Sequence, residues 1–176
     1  MTSPSSIEFS HYRFEDLSLN DLYGVLRLRS IVFNHQQRLV EVSDGKCIEI
    51  DDNDSSCIHI IGKLPNQKII ATARLFDKQS PLQWGRFAVD PNFQKHGVGT
   101  QLLEYLDSII NSKPIEMNAQ SYLIDWYSKF GWSISGPEFI ECGIKHVRMI
   151  KNMSVSYTHL RAHETEADLV CRLLLE

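Results

Sequence analysis

Arg86-Phe87-Ala88-Val89-Asp90-Pro91-Asn92-Phe93-Gln94-Lys95-His96-Gly97-Val98-Gly99-Thr100-Gln101-Leu102-Leu103-Glu104-Tyr105-Leu106-Asp107 is the stretch on which the reading of the chain turns. Its aromatic and β-branched start is strand-like. Asp90-Pro91 ends the strand, because proline has no N–H to give a ladder. A polar loop with Gly97 and Gly99 follows. Leu102, Leu103 and Leu106 then recur at helical spacing, with Tyr105 beside them. Strand, glycine loop and helix start together form a device for holding an anion on exposed N–H groups and the positive helix end.

Upstream, strands are predicted over 57–64 and 69–76, flanking the hairpin turn Pro65-Asn66-Gln67-Lys68, and over 82–89. A first strand is expected at 7–14, with Ile7, Phe9 and His11 on one face. Ser18-Leu19-Asn20-Asp21 resembles a capping box, and Leu19, Leu22, Tyr23, Leu26 and Phe33 mark the expected core face of a helix reaching about residue 35. Residues 36–56 read as a loop whose acidic run, Glu49 to Asp54, is expected to be solvated. It lacks the glycine and the later glutamate of a calcium loop. Downstream, a strand over 115–118 precedes a short helix over 121–130 carrying Leu123, Ile124, Tyr127 and Phe130. Gly131 falls where a left-handed cap belongs, and closing strands are expected at 132–135 and 145–150. This order predicts one α/β domain, a mixed, mostly antiparallel central sheet flanked by helices, with no internal repeat.

Composition narrows the class. At 176 residues, 43% hydrophobic and 23% charged, the chain suits a soluble globular domain. A net charge of −4 with no basic run argues against a nucleic-acid partner, and no apolar run reaches membrane-span length. The polar N-terminus lacks the apolar core of a signal peptide. Cys47, Cys57, Cys142 and Cys171 show no C-x-x-C spacing, so reduced thiols, a cytoplasmic location and no metal are expected.

Residues from about Ser154 need separate treatment. Val155 to Thr165 and Asp168 to Glu176 resemble the translation of a transposon-type sequencing adapter, with Glu166-Ala167 where a variable index would fall. Residues 1–153 are therefore taken as the domain and 154–176 as a non-native tail.

The loop is not a nucleotide P-loop, since no Gly-Lys-Ser/Thr follows its second glycine. Nor is it a dinucleotide fingerprint, for position 102 is leucine. Gln94, Gly97 and Gly99 instead resemble the Gln/Arg-x-x-Gly-x-Gly/Ala acetyl-CoA motif of the GNAT N-acetyltransferases. Tyr127-Ser128-Lys129-Phe130-Gly131-Trp132 resembles that family's tyrosine-x-x-x-glycine-aromatic motif. Leu22-Tyr23, Leu28-Arg29, Val32-Phe33, His59-Ile60, Ala73-Arg74-Leu75, Gly85-Arg86, Gly143-Ile144 and His146 resemble the ElaA-like branch, over about residues 7–151. The chain departs from that branch at Gln36-Gln37 and Cys47, where a glutamate-glutamine pair and a tyrosine are usual.

The resemblance implies acetyl transfer from acetyl-CoA to a primary amine, small or protein-borne, in a direct ternary complex. Cofactor residues would be Phe87, Ala88 and Val89 along the pantetheine arm, Gln94, Lys95, His96, Gly97, Val98, Gly99 and Thr100 around the pyrophosphate, and Asn118. The N–H of Val89 would polarise the thioester carbonyl, and Tyr127 would protonate the departing thiolate. An amine of pKa near 10 must lose a proton before attacking; Glu141, His146 and His59 are candidates for the base by residue type, with a water chain as the alternative. Arg74 and Arg86 are open between acceptor, cofactor and structural ion pairs. Cys142 is expected to be a structural thiol. A non-catalytic acyl-CoA-binding protein is the rival reading, and a homodimer through edge strands stays open.

Overall fold

The computed structural model describes residues 6–45 and 47–152; the adapter-like tail lies outside them. Seven strands form one sheet: β1 (Glu8–Arg13), β2 (Ile58–Lys63), β3 (Ile69–Phe76), β4 (Leu82–Val89), β5 (Ile115–Gln120), β6 (Ser133–Glu141) and β7 (Ile144–Lys151). Their order across the sheet is β1-β2-β3-β4-β5-β7-β6. Every neighbouring pair is antiparallel except β4 beside β5. That parallel step follows from the crossover through α3 (Val98–Ile109), since a tight hairpin can only return a strand antiparallel. The expected sheet is thus present, with every predicted strand found and β6 and β7 longer than predicted.

Both faces are covered. Adjacent residues such as Ile60 and Ile61, or Val89 and Ala88, enter opposite apolar clusters, as strand alternation requires. Leu102, Leu103 and Leu106 of α3 pack into the larger cluster with Trp84, Met117 and Tyr127, beside α4 (Ile124–Ser128). The smaller cluster lies under α1 (Leu19–Arg29). Ser18 caps α1, its Oγ accepting from Asp21 N–H at 3.1 Å.

The buried face of α1 differs from the predicted one. Leu19 and Tyr23 are 85% and 70% exposed, whereas Val25, Leu28 and Arg29 are buried. A fully buried arginine on the inner face displaces the leucine stripe that hydropathy alone selects. The predicted single helix also ends early: Ser30–Gln36 winds into a π-helical turn, a form frequent at functional sites. A short helix α2 (Leu39–Val42) follows. Among the described residues no helix is long and apolar enough to cross a membrane.

The acidic loop is corrected as well. Glu49 and Asp54 are buried rather than solvated. Arg29 Nε donates to Glu49 Oε1, and Arg29 Nη1 to Asp54 Oδ1 at 2.5 Å. Arg74 Nη1 reaches Asp51 at 2.6 Å and Asp54 at 3.1 Å. The run of carboxylates is there to match buried guanidinium groups, which would be costly unpaired.

Candidate active site

The site grows out of a defect in β4. Thr72 pairs with Ala88 and Arg74 with Gly85, so Arg86 and Phe87 together oppose Ala73 alone. This is a bulge, and Arg86 sits at φ +51 within it. On the other side β4 pairs with β5 only at Leu82–Ile115 and Gln83–Glu116. Beyond Gln83 the two strands part, and a groove of about 860 Å³ opens between them.

Asp90 N–H donates to Ile70 O at 2.8 Å, so ladder alternation turns the N–H and C=O of Val89 toward the gap. The C=O accepts from Gln94 Nε2 at 3.0 Å. The N–H is left on the groove side.

The loop after β4 brings the start of α3 to the same opening. Gly97 at φ +79 is the N-cap, a left-handed position that disfavours a side chain. Gln101 N–H is the first to bond back, to Gly97 O at 3.1 Å, which leaves the N–H groups of Val98, Gly99 and Thr100 without helical partners. Gly99 is small for a different reason: a Cβ there would lie 3.3 Å from Phe87 Cζ and 3.5 Å from Trp126 Cζ2. The opening therefore presents a set of N–H donors at a twelve-residue helix end, the arrangement that binds phosphate.

Tyr127 is 4% exposed and is packed by Trp84, Trp126 and Trp132. Burial raises its phenol pKa well above the ordinary value, so the hydroxyl stays protonated and can donate. It lines the groove with Gly97, Gly99 and Phe87. Asn118 lines it too, donating from Nδ2 to Glu141 Oε2 at 2.9 Å. His146 Nδ1 lies 2.9 Å from Ile144 O, and a carbonyl can only accept, so Nδ1 carries a hydrogen and, in the neutral ring, Nε2 is the nitrogen with the lone pair. Glu141 and His146 both line the groove.

Of the expected cofactor residues, Phe87, Val89, Gln94, Lys95, Gly97, Gly99, Thr100 and Asn118 line the groove. The side chains of Ala88, His96 and Val98 do not; Ala88 and Val98 are buried in the core, so only their backbone can serve a ligand. His59 is away from the groove. It is fully buried, donates from Nε2 to Asp54 O at 2.8 Å, and has its pKa lowered by burial. It cannot be the base.

Arg74 belongs to the ion cluster, and Arg86 bridges cluster and groove, donating to Glu49 O, Ile48 O and Asp51 Oδ2. Asp54, Cys57 and His59 lie close enough to suggest a metal centre. Asp54 is held by two arginines, His59 Nε2 is spent on Asp54 O, and burial pushes the Cys57 thiol pKa up to about 11, which leaves His59 Nδ1 as the ring nitrogen without a partner.

Two features escaped the sequence. Gln36 and Gln94 pair amide to amide at 3.0 Å, and Gln37 pairs with Gln120 at 3.1 Å, so the π-helical turn is stitched to the loop after β4 and to β5. Their separations of 58 and 83 residues carry no local signal. Cys47 and Cys142, expected to be reduced, form a disulfide across 95 residues, with Cα atoms 5.6 Å apart. It joins the acidic loop to the β6–β7 turn at the rim of the groove.

Known proteins share both sequence and architecture. A family model described as an acetyltransferase (GNAT) domain matches residues 50–153. A UPF0039 protein of Schizosaccharomyces pombe is 32% identical over 82% of this chain and 97% of its own length. Protein ElaA of Escherichia coli is 29% identical over 84% of this chain and 97% of its own. The crystal structure of Escherichia coli ElaA superposes with a TM-score of 0.72 at 28% identity, covering 83% of this chain and 99% of that one. An acyl-CoA N-acyltransferase from Pseudomonas aeruginosa gives the same TM-score at 24% identity, with coverage of 83% and 99%.

Proposed function

The chain belongs to the GNAT acetyltransferase family, and from that premise we propose that it transfers the acetyl group of acetyl-CoA to a primary amine by direct attack in a ternary complex. The observation that carries this reading is the meeting of three features in one groove: the parted β4 and β5, the N-terminus of α3, and the side chain of Tyr127. The pyrophosphate of the cofactor is held by the N–H groups after Gly97, with Lys95 alongside. The pantetheine arm lies along Phe87 to Val89, and the Val89 N–H donates to the thioester oxygen as charge builds on it.

His146 is assigned as the base. Its Nε2 lone pair is available because Nδ1–H is spent on Ile144 O. Glu141, held by Asn118, lies on the same side and favours a cationic amine approaching the site. After the amine nitrogen attacks the thioester carbon, the C–S bond breaks, and Tyr127 gives its proton to the departing thiolate. Coenzyme A is named in a solved relative of the fold, an aminoglycoside 6'-N-acetyltransferase at 10% identity and TM-score 0.60.

Calorimetry with acetyl-CoA on the wild type, Gly97→Glu and Tyr127→Phe tests the reading, followed by thiol release against a panel of amines. Wild-type binding, lost with the glutamate and kept with the phenylalanine, is expected, and so is amine-dependent thiol release. A folded protein that does not bind acetyl-CoA sinks the reading. Binding without turnover of any amine leaves a non-catalytic acyl-CoA-binding protein.

A further inference from the structure

The polar face of the groove beyond the cofactor opening has a charge pattern that selects among amines. β5 and β7 are paired with Asn118 opposite Arg148 and Gln120 opposite His146. Asn118, His146 and Arg148 all line the groove, and strand alternation puts His146 and Arg148 on one face of β7, about 7 Å apart along the strand. Two arginines line this groove. The guanidinium of Arg86 is committed to Ile48 O, Glu49 O and Asp51. Arg148, by contrast, has no carboxylate within ion-pair distance among the described residues. Glu141 is nearby in the fold but hydrogen-bonds Asn118, and Glu116 accepts from Gln83.

We propose that Arg148 is a specificity residue that binds a carboxylate on the acceptor, so that the preferred substrates are small amines that also carry a carboxylate, such as free amino acids. This rests on the acetyltransfer reading above and deepens it. A guanidinium fork matches a carboxylate in a bidentate pair, which fixes orientation as well as adding attraction. With the carboxylate on Arg148, an amine on the α- or β-carbon falls next to His146, the residue two positions back on the same strand face. Phe33, Leu39 and Phe76 line the groove as well and offer apolar contact to the remainder of such a molecule. A decarboxylated amine has the same nucleophile and loses the anchor. A protein amine that lacks a neighbouring carboxylate loses it too.

The test compares free amino acids with the corresponding amino acid amides and decarboxylated amines, on the full chain, in wild type, Arg148→Gln and Arg148→Lys. Thiol release gives kcat/KM, and calorimetry in the presence of CoA gives amino acid binding without turnover. The expected result is at least a tenfold wild-type preference in kcat/KM for the carboxylate-bearing member of each pair. Arg148→Gln erases that preference by raising KM for the carboxylates alone, Arg148→Lys restores part of it, and acetyl-CoA affinity is unchanged in both. Amino acid binding without acetylation would keep the anchor and sink the transfer reading. A wild type that binds acetyl-CoA but neither binds nor prefers carboxylate amines overturns the proposal. So does an Arg148→Gln loss of acetyl-CoA affinity that is absent with dephospho-CoA, since the guanidinium would then serve the cofactor's phosphate.

Discussion

The hydroxyl of Tyr127 is placed so that its loss should be felt in one kinetic constant. Three tryptophans hold the ring, and burial keeps the phenol protonated far above neutral pH. Tyr127→Phe keeps all of that packing and removes only the hydroxyl that the proposed function makes the proton donor. A general acid contributes about 10²- to 10⁴-fold, so kcat is expected to fall by about a hundredfold or more while acetyl-CoA affinity stays constant. Stopped thiol-release kinetics beside calorimetry separate the two. A second residue acts on stability instead. His59 is fully buried, and burial lowers its pKa, so the folded state binds a proton less readily than the unfolded chain. For a depressed histidine the stabilising difference is present above the unfolded pKa of about 6.5 and is lost as pH falls below it. Urea midpoints are therefore expected to decline from pH 7 to pH 5, by up to about 1.4 kcal/mol per pH unit from this group. A His59→Gln variant should show a flatter profile over that window.

Elements were legible in proportion to how local their cause is. Leu102, Leu103 and Leu106 announce α3 because one helix face repeats within a few residues, and Gly131 announces the end of α4 because only backbone conformation matters there. The parting of β4 from β5 left no mark in either strand, since it depends on where pairing stops. The inner face of α1 was misread for a related reason. Hydropathy scores Arg29 as a surface residue, yet it is fully buried against Glu49 and Asp54, 20 and 25 residues away. The same partners turn the acidic run from solvent to interior. Burial opposes the charged form of Asp54, but hydrogen bonds and charge from Arg29 and Arg74 outweigh it and hold the carboxyl below its usual range. Removing this partner leaves guanidinium groups buried without full compensation. Asp54→Ala is expected to cost about 3 kcal/mol, read as a lower urea midpoint with an unchanged m-value. An unaltered midpoint would mean that Glu49 and Asp51 suffice to neutralise both arginines.

At the scale of the whole molecule, the groove is bounded by segments that share few core contacts and are tied together by specific bonds. The side proposed to hold the cofactor stands on α3 and the main apolar cluster. The opposite rim is the loop around Glu49 and the turn between β6 and β7, and Cys47–Cys142 is the covalent tie between them. Cys142 and Gly143 both have positive φ, as a two-residue hairpin turn demands. A cysteine is a costly choice there compared with asparagine or glycine, and the bond to Cys47 gives it a reason. Glu141 is the next residue, so the tie also fixes where that carboxylate stands in the groove. Closing a loop of 95 residues is worth about 4 to 5 kcal/mol in the chain-entropy account. Cys47→Ser, or reduction of the wild type, is therefore expected to lower the melting temperature and to raise hydrogen exchange at 43–51 and 139–146. Exchange in α3 and the affinity for acetyl-CoA should not change, because the cofactor side does not depend on the bond. KM for the amine should rise while kcat for saturating amine is largely retained, since the bond shapes the acceptor wall and leaves Tyr127 in place. Equal loss of acetyl-CoA and amine binding on reduction would show that the disulfide supports the whole fold, and the division of the groove into a rigid cofactor side and a tethered acceptor side would then be wrong.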